Sequence, residues 1–216
     1  QRHLQTILER IFNSVIDCRK DIARLRAIKS NDEIAAIARA VDLTVDAFQV
    51  ARAQIDTCRY EYEIEAILGY EFRRAGATHA YDPIVAGGQR ACTLHYTANN
   101  QLVRKGSAVL IDAGAERDGY CADITRTYIR GNPTKRYERL HRALQDAQQH
   151  IIDIMQPHMP VADYLRHVDD IMRQMLRDVG LLRSLDDDRY REYFPHSISH
   201  GLGIDVHDSL GGWRTL

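Results

Sequence analysis

The sequence has no cysteine pair, no strong net charge and no long apolar run, and each absence excludes a class of protein. Lysine and arginine number 29 and aspartate and glutamate 30, so the formal net charge is -1, which argues against a protein that binds nucleic acid through its charge. No apolar run approaches the roughly 20 residues of a membrane-spanning helix. The four cysteines are dispersed, without a C-x-x-C pair, which favours free thiols and a cytoplasmic location. We therefore expect neither nucleic acid nor a membrane as a partner.

Several common catalytic motifs are also missing. The sequence has no G-x-S-x-G, P-loop or G-x-G-x-x-G motif, which argues against a serine hydrolase and against the common nucleotide-binding loops. His196 and His200 have the spacing of the outer residues in the H-E-x-x-H motif of zinc peptidases. Ser197 replaces the required glutamate, however, and Pro195 and Gly201 disfavour a helix. This segment is instead predicted to be extended and to line a pocket.

The most informative stretch is residues 109–128, in which two apolar runs flank a charged, glycine-containing turn and predict a β-hairpin. Each strand carries one aspartate, Asp112 or Asp123. A four-residue turn over 116–119 would place the two aspartates directly opposite each other, whereas a two-residue turn over 118–119 would place them diagonally. Because side chains alternate along a strand, both turns put the two carboxylates on one face of the sheet.

Two carboxylates on one face of a hairpin repel each other, since opposed Cβ atoms lie only about 5 Å apart. A shared proton or a bound cation would offset this repulsion, and carboxylate oxygens suit hard or borderline divalent ions such as manganese. Solvated aspartates on an open sheet face are the alternative. The apolar runs around Asp112 and Asp123 indicate a buried setting, which favours the metal interpretation.

Apolar residues at helical spacing predict five helices. A capping box formed by Ser30 and Glu33 marks the start of the second helix, and Glu61, Glu63 and Glu65 of the third are predicted to form a solvated face. The helices are predicted over residues 1–24, 31–56, 60–75, 134–157 and 162–180, and short strands before the hairpin over 81–88 and 91–97. Strands clustered after three helices indicate an α+β fold with helices on one face of the sheet.

Together these motifs resemble those of the pita-bread metallopeptidases, most closely the aminopeptidase P and prolidase branch. The matching segments occur in the family's order: residues 28–30 with 33–34, then 84–86, 94–96, 110–114, 119–120, 122–127, and 200 with 202–208. The resemblance implies the pita-bread (creatinase/aminopeptidase) fold, an α+β fold in which an antiparallel sheet is covered by helices.

For the metal centre, the resemblance implies Asp112, Asp123 and His200 as protein ligands of two divalent ions, usually manganese. Asp112 would bind one ion, Asp123 would bridge both, and His200 would come from the second half of the fold. Two such ions hold a hydroxide nucleophile at neutral pH and polarise the peptide carbonyl. The implied substrate is a peptide with proline in second position, from which the N-terminal residue is released.

Three further histidines are implied as catalytic residues. His95, which lies on one of the predicted strands, and His207 would line the substrate pocket, hydrogen-bond to the scissile group and help to move protons. His196 would also face the substrate. Considered without the resemblance, a lone strand histidine such as His95 is more often a partly buried residue with no catalytic role.

The sequence departs from the family pattern at both ends. Two glutamate ligands follow the late histidine in the family and have no counterpart here, so we expect a second half that is incomplete at the C-terminus, an incomplete metal site and little activity. Residues 1–24 are expected to be a helical remnant or linker of a missing N-terminal domain, and residues 25–216 the catalytic domain.

Unpartnered apolar faces predict a homo-oligomer. The alternative functions are an Xaa-Pro dipeptidase (prolidase) and a non-catalytic pita-bread domain that binds peptides.

Overall fold

The computed structural model describes residues 2–209, except for the side chains of residues 2–5 and 9. Residues 210–216 of the predicted catalytic domain lie outside this range. The described helices are α1 (Arg2–Ile11), α2 (Arg19–Ala27), α3 (Asn31–Gln54), α4 (Glu61–Arg74), α5 (Lys135–Asp153), α6 (Val161–Asp178) and α7 (Tyr190–Tyr193). The strands are β1 (Thr78–His79), β2 (Ile84–Gly87), β3 (Ala108–Ala113), β4 (Ala115–Arg117), β5 (Tyr120–Cys121) and β6 (Ile124–Ile129). Within the described part of the chain, no helix combines the length and the apolar content needed to cross a membrane.

The N-terminal segment forms two helices, so the single helix predicted over residues 1–24 is wrong. α2 begins only at Arg19, after an irregular stretch. Asn13-Ser14 and the β-branched Val15-Ile16 in that stretch have low helix propensity. Asp17 also accepts a hydrogen bond from the backbone N–H of Arg19 at 3.1 Å. Such local bonds to an aspartate favour a new helix start over a continuous helix.

The two long helices of the first half occupy their predicted positions. Ser30 Oγ accepts a hydrogen bond from the Glu33 N–H at 3.3 Å, and Glu33 Oε2 accepts one from the Ser30 N–H at 2.7 Å. This reciprocal capping box starts α3 as predicted. α3, α4 and the strands share the first hydrophobic core, whose larger members include Phe48, Ile64, Leu68, Phe72, Val85, Val109 and Ile111.

The strands form two three-stranded antiparallel sheets, in the orders β1-β4-β5 and β2-β3-β6. The hairpin contributes to both, because β3 continues into β4 and β5 continues into β6. At this junction a Cβ on Gly114 would lie 1.7 Å from the carbonyl oxygen of Ala122. Glycine is therefore required where the two backbones approach each other most closely.

The hairpin has the tighter of the two predicted turns. Asp118 and Gly119 both have positive φ, 56° and 79°, as a two-residue type I′ turn requires. Asp112 consequently pairs with Thr125, and Asp123 lies two residues before Thr125. The two aspartates are diagonal neighbours on one face of the sheet, and the four-residue turn is wrong.

The predicted strand over residues 91–97 is wrong. The chain instead forms a 3-10 helix over Gly88–Cys92 and then a turn. His95 lies in this turn with a φ of 54°, a conformation that a strand does not contain.

Glu61 is fully buried, so the solvated face predicted for α4 is also wrong. Its carboxylate accepts hydrogen bonds from four groups: the backbone N–H of Gly87 at 2.9 Å, the N–H of Gln101 at 3.0 Å, Arg90 Nε at 2.8 Å and the Tyr96 hydroxyl at 2.8 Å. The segment that follows β2 winds around this carboxylate, which explains why it does not extend into a strand.

The second half is helical from residue 135, as predicted. α5, α6 and α7 enclose a second hydrophobic core that includes Ile151, Tyr164, Val168, Leu176 and Tyr190. Beyond α7, Gly201 and Asp208 form an isolated antiparallel bridge. The two halves have separate cores, and the bridge lies in the loop that carries the late histidines.

Candidate metal centre

Tyr81 joins the two hairpin aspartates. Its hydroxyl oxygen lies 2.5 Å from Asp112 Oδ1 and 2.9 Å from Asp123 Oδ1. Ile84 of β2 pairs with Asp112 of β3, which brings the residues just before β2, including Tyr81, to this part of the sheet. The carboxylates therefore converge on a single group, as expected from their position on one face.

The electrostatics of this pair favour an added proton or cation. Burial raises the pKa of Asp112; the Tyr81 hydrogen bond lowers it and the charge of Asp123 raises it further. Burial and the adjacent Asp112 also raise the pKa of Tyr81, which keeps the phenol neutral. A neutral phenol has one proton and can donate to only one carboxylate at a time. The two carboxylates therefore compete for one donor, and a proton or a cation at the site would relieve this competition.

His200 approaches the pair from the second half of the fold. Its Nε2 lies 3.1 Å from Asp123 Oδ2, and its Nδ1 lies 3.0 Å from the carbonyl oxygen of Gly201. A carbonyl accepts only, so this contact assigns the proton to Nδ1 of the neutral ring. The Nε2 lone pair then faces a carboxylate oxygen, and two acceptors at this distance need a proton or a cation between them.

These groups fit a divalent ion. Ligands about 2.1 Å from one ion and at right angles lie about 3.0 Å apart, close to the 3.1 Å between His200 Nε2 and Asp123 Oδ2. Carboxylate oxygens and a neutral imidazole nitrogen are also the donors that borderline divalent ions prefer. Asp112 contacts the same site through Tyr81. The structure thus brings two of the predicted ligands, Asp123 and His200, close enough for one ion, whereas Asp112 is linked to Asp123 through the Tyr81 hydroxyl and lies outside the group of donor atoms within 4.8 Å of one another among the described residues.

His207 lies beside His200, with ring centroids 4.2 Å apart and planes tilted by 60°. One donor atom each from Asp123, His200 and His207 lies within 4.8 Å of the others. His207 is exposed, so it can also meet a ligand from solvent. The structure therefore places His207 at the candidate metal centre, and its role on the substrate remains a prediction.

The remaining two predicted histidines are less closely connected to the centre. His95 is exposed, and its charge acts to lower the pKa of Asp112, so it lies within electrostatic range of the site. His196 is exposed, and its Nδ1 lies 2.8 Å from the carbonyl oxygen of Ser197. Their catalytic roles remain predictions.

No sequence pattern predicted a role for Tyr81, because residues 81–88 were predicted to form one strand. The signal that could have indicated it is the Asp82-Pro83 pair, which favours an irregular segment before the strand. Residues of such a segment, at the end of a strand next to Asp112, are well placed to reach its carboxylate.

Comparison with known proteins identifies the family. A family model described as metallopeptidase family M24 matches residues 35–214. The chain belongs to this family. The Xaa-Pro aminopeptidase of Haemophilus influenzae is 35% identical over 208 residues, which cover 91% of this chain and 47% of that protein. The Xaa-Pro dipeptidase of Pyrococcus furiosus is 30% identical over 198 residues, which cover 91% of this chain and 52% of that protein.

Solved structures of M24 relatives show the same fold. Zinc-substituted aminopeptidase P of Escherichia coli in complex with product is 34% identical to this chain with a TM-score of 0.80, and the match covers 90% of this chain and 46% of that one. The predicted α+β pita-bread fold is confirmed. Membership of a metallopeptidase family also supports divalent metal ions as the cofactor class. The chain spans about half the length of the curated relatives it matches.

Proposed function

We propose that this M24 chain forms part of an Xaa-Pro aminopeptidase, which releases the N-terminal residue of a peptide that has proline in second position. The observation that carries the proposal is the approach of His200 Nε2 to Asp123 Oδ2 at 3.1 Å, beside the carboxylate of Asp112. The names of several relatives support the substrate class.

Asp112, Asp123 and His200 would hold the metal, which we propose to be two divalent ions, preferably manganese. When bound, the ions polarise the peptide carbonyl and lower the pKa of a water molecule. The two carboxylates supply the negative charge that retains the cations, and His200 supplies a neutral nitrogen donor. The resemblance implies five protein ligands, so we expect a polypeptide of residues 1–216 to bind the ions weakly and to cleave peptides slowly.

Exposed histidines beside the metal centre would contact the peptide. An imidazole can donate or accept a proton near neutral pH. We propose that His95 and His207 hydrogen-bond to the scissile group and transfer protons, and that His196 contacts the peptide from the same loop as His207. The exposure of His207 next to His200 supports this role, because a peptide can reach both rings.

An Xaa-Pro dipeptidase is the second candidate, because the Pyrococcus furiosus relative has that name. The two activities differ in whether the substrate continues beyond the proline. Hydrolysis of Ala-Pro and Ala-Pro-Ala by one preparation distinguishes them, and the aminopeptidase proposal predicts a preference for the tripeptide.

Peptide binding tests the proposal without requiring fast turnover. Calorimetric titration of the 216-residue polypeptide, in the presence of Mn²⁺, should show saturable binding of Ala-Pro-Ala and weaker binding of Ala-Ala-Ala. Asp123→Asn should weaken the binding of Ala-Pro-Ala, because the metal contributes to it. Equal binding of the two peptides, or binding that Asp123→Asn leaves unchanged, would contradict the proposal.

We also propose that the protein is a cytoplasmic homo-oligomer. The four cysteines are free thiols, two of them exposed, which is compatible with a reducing compartment. Large apolar side chains near the N-terminus are exposed, including Ile16 at 82% and Leu25 at 80%, which supports self-association. Light scattering coupled to gel filtration should show a dimer or larger species, whereas a monomer at all concentrations would contradict this.

A further inference from the structure

We propose that ion pairs of Asp208 with Arg26 and Lys29, near the junction of α2 and α3, position His200 and His207 at the metal centre. The proposal rests on the proposed function and extends it, by assigning a positioning role to Arg26 of α2 and to Lys29, which lies just before α3. We call the group formed by Arg26, Lys29, Asp205 and Asp208 the Asp208 clamp.

The Asp208 carboxylate is held between two cations and is almost completely removed from water, with 2% of its side chain exposed. Arg26 Nη2 lies 2.8 Å from Asp208 Oδ1 and 2.5 Å from Asp205 Oδ2, and Lys29 Nζ lies 3.0 Å from Asp208 Oδ2. Ion pairs that are shielded from solvent are little weakened by water or salt. The clamp therefore fixes the orientation of this carboxylate more firmly than an exposed pair would.

The clamp acts at the base of the loop that carries both histidines. Asp208 directly follows His207, and its N–H donates to the carbonyl oxygen of Gly201 at 2.9 Å. Gly201 in turn directly follows His200. Holding Asp208 thus holds the backbone next to both imidazole rings.

The loop packs directly onto the clamp and onto the hairpin. A Cβ on Gly203 would lie 2.2 Å from Asp208 Oδ2 and 3.0 Å from Lys29 Cε, so a larger residue could not fit without displacing the ion pair. On its other side, the carbonyl oxygen of Gly203 accepts a hydrogen bond from the Cys121 N–H at 2.9 Å. Cys121 lies two residues before Asp123. The loop is therefore attached both to the clamp and to the strand that leads into Asp123.

These attachments are needed because core packing does not set the distance between the two sides of the metal centre. Asp123 belongs to the half that contains the first hydrophobic core, and His200 follows the helices that enclose the second. The contacts of the loop must therefore hold His200 Nε2 at 3.1 Å from Asp123 Oδ2. Arg26 and Lys29 supply the charged part of these contacts.

The test compares Lys29→Met with Lys29→Arg, which keeps the positive charge, and with Arg39→Met as a matched control. Arg39 forms an exposed ion pair with Asp118 at 3.3 Å on the hairpin turn and has no ion pair with a residue of the clamp among the described residues. Three quantities are measured on the 216-residue polypeptide: the Mn²⁺ affinity by calorimetry, the exchange rate of the Cys121 amide proton by NMR without metal, and the midpoint of thermal unfolding.

We expect Lys29→Met to lower the Mn²⁺ affinity about 10-fold, in the range found for residues that orient metal ligands, and to accelerate exchange of the Cys121 amide. Lys29→Met should remain folded at the temperature of the titration, although its unfolding midpoint should fall below that of Arg39→Met, because a shielded carboxylate loses one of its two cations. Lys29→Arg should restore the Mn²⁺ affinity and the Cys121 exchange rate. Unchanged affinity and unchanged Cys121 exchange in Lys29→Met would overturn the proposal.

Two further outcomes are distinguishable. Arg26→Met removes the other cation of the clamp, and loss of the folded state in both Lys29→Met and Arg26→Met would show that the ion pairs support folding rather than position, which also overturns the proposal. Absence of Mn²⁺ binding by the unmodified protein would overturn the proposed metal centre. In that case the Cys121 exchange rate, measured without metal, still decides whether the clamp positions the loop.

Discussion

Tyr81 donates to Asp112 across 2.5 Å and so ties the segment before β2 to the aspartate of β3. The same hydroxyl lies 2.9 Å from Asp123. One phenol thus separates and orients two carboxylates that would otherwise repel each other. Asp112 and Asp123 are the proposed metal ligands, and residues that orient metal ligands contribute to metal affinity even though they do not bind the ion.

Tyr81→Phe should lower the Mn²⁺ affinity about 10-fold, because both carboxylates lose the hydroxyl that orients them. Calorimetric titration of the variant and of the unmodified protein measures the change. Tyr62→Phe, at an exposed position of α4, removes a hydroxyl without touching the site and should leave the affinity unchanged. Equal affinity in Tyr81→Phe and the unmodified protein would show that the phenol does not orient the ligands.

Glu61→Gln should lower the free energy of unfolding by about 3 kcal/mol, at the lower end of the range for breaking a buried ion pair. The substitution replaces one acceptor oxygen by an amide NH₂ group, which would then face a hydrogen-bond donor. Arg90, which is 33% exposed, would also lose its ion pair. Urea unfolding measures the loss, and Glu138→Gln at an exposed position of α5 serves as control. A change within about 0.5 kcal/mol, as is usual for surface substitutions, would mean that the carboxylate does not organise the segment after β2.

Gly114→Ala should lower the free energy of unfolding by about 3 kcal/mol or more, since its Cβ would overlap the carbonyl oxygen of Ala122 at 1.7 Å. Gly180→Ala is the control: its φ of 79° is strained for alanine, but a Cβ there meets no atom within 4 Å, so the cost should be about 1 kcal/mol. Equal effects of the two substitutions in thermal unfolding would contradict the close approach at Gly114.

Protonation of His79 should destabilise the protein at acidic pH. Burial lowers the pKa of His79, against the opposing effect of the nearby Glu65 and Asp82, and its Nδ1 has no hydrogen-bond partner among the described residues. Because the folded-state pKa lies below the unfolded value of about 6.5, the unfolded chain binds the proton first. Stability is therefore lost as the pH falls from about 6.5 through the lowered pKa.

The corresponding measurement is urea unfolding of His79→Phe and of the unmodified protein at pH 7.5 and at pH 5. Phenylalanine keeps a ring next to Phe72, whose centroid lies 5.0 Å from that of His79. The loss of stability on acidification should be smaller in the variant, whereas substitution of the exposed His150 by Gln should not reduce it. An identical pH dependence in all three proteins would contradict the assignment.

Local patterns in the sequence predicted much of the fold and part of the site. The capping box at Ser30 and Glu33 located the start of α3, since both partners lie within four residues. Strand alternation placed Asp112 and Asp123 on one face for either turn length, so this prediction did not depend on the exact register. His200 was predicted only from the family resemblance of its segment. The sequence itself does not reveal the contact between Asp123 and His200, because the two residues are far apart in the chain.

The features that the sequence did not predict depend on contacts between residues that are distant in the chain. Glu61, Glu63 and Glu65 resemble a surface run of charges, yet Glu61 meets donors 26 to 40 residues away and the other two are half-buried. Tyr81 reaches the site because β2 pairs with β3, which no local pattern around it indicates.

The Mn²⁺ affinity of Asp123→Asn, measured by calorimetry beside the unmodified 216-residue polypeptide, tests the metal centre most directly. Asp118→Asn, at the exposed hairpin turn, controls for the loss of one negative charge. We predict saturable binding by the unmodified protein and by Asp118→Asn, and an affinity lower by more than about 10-fold in Asp123→Asn. Equal affinities in all three proteins, or no binding by the unmodified protein, would contradict a metal centre at Asp112, Asp123 and His200.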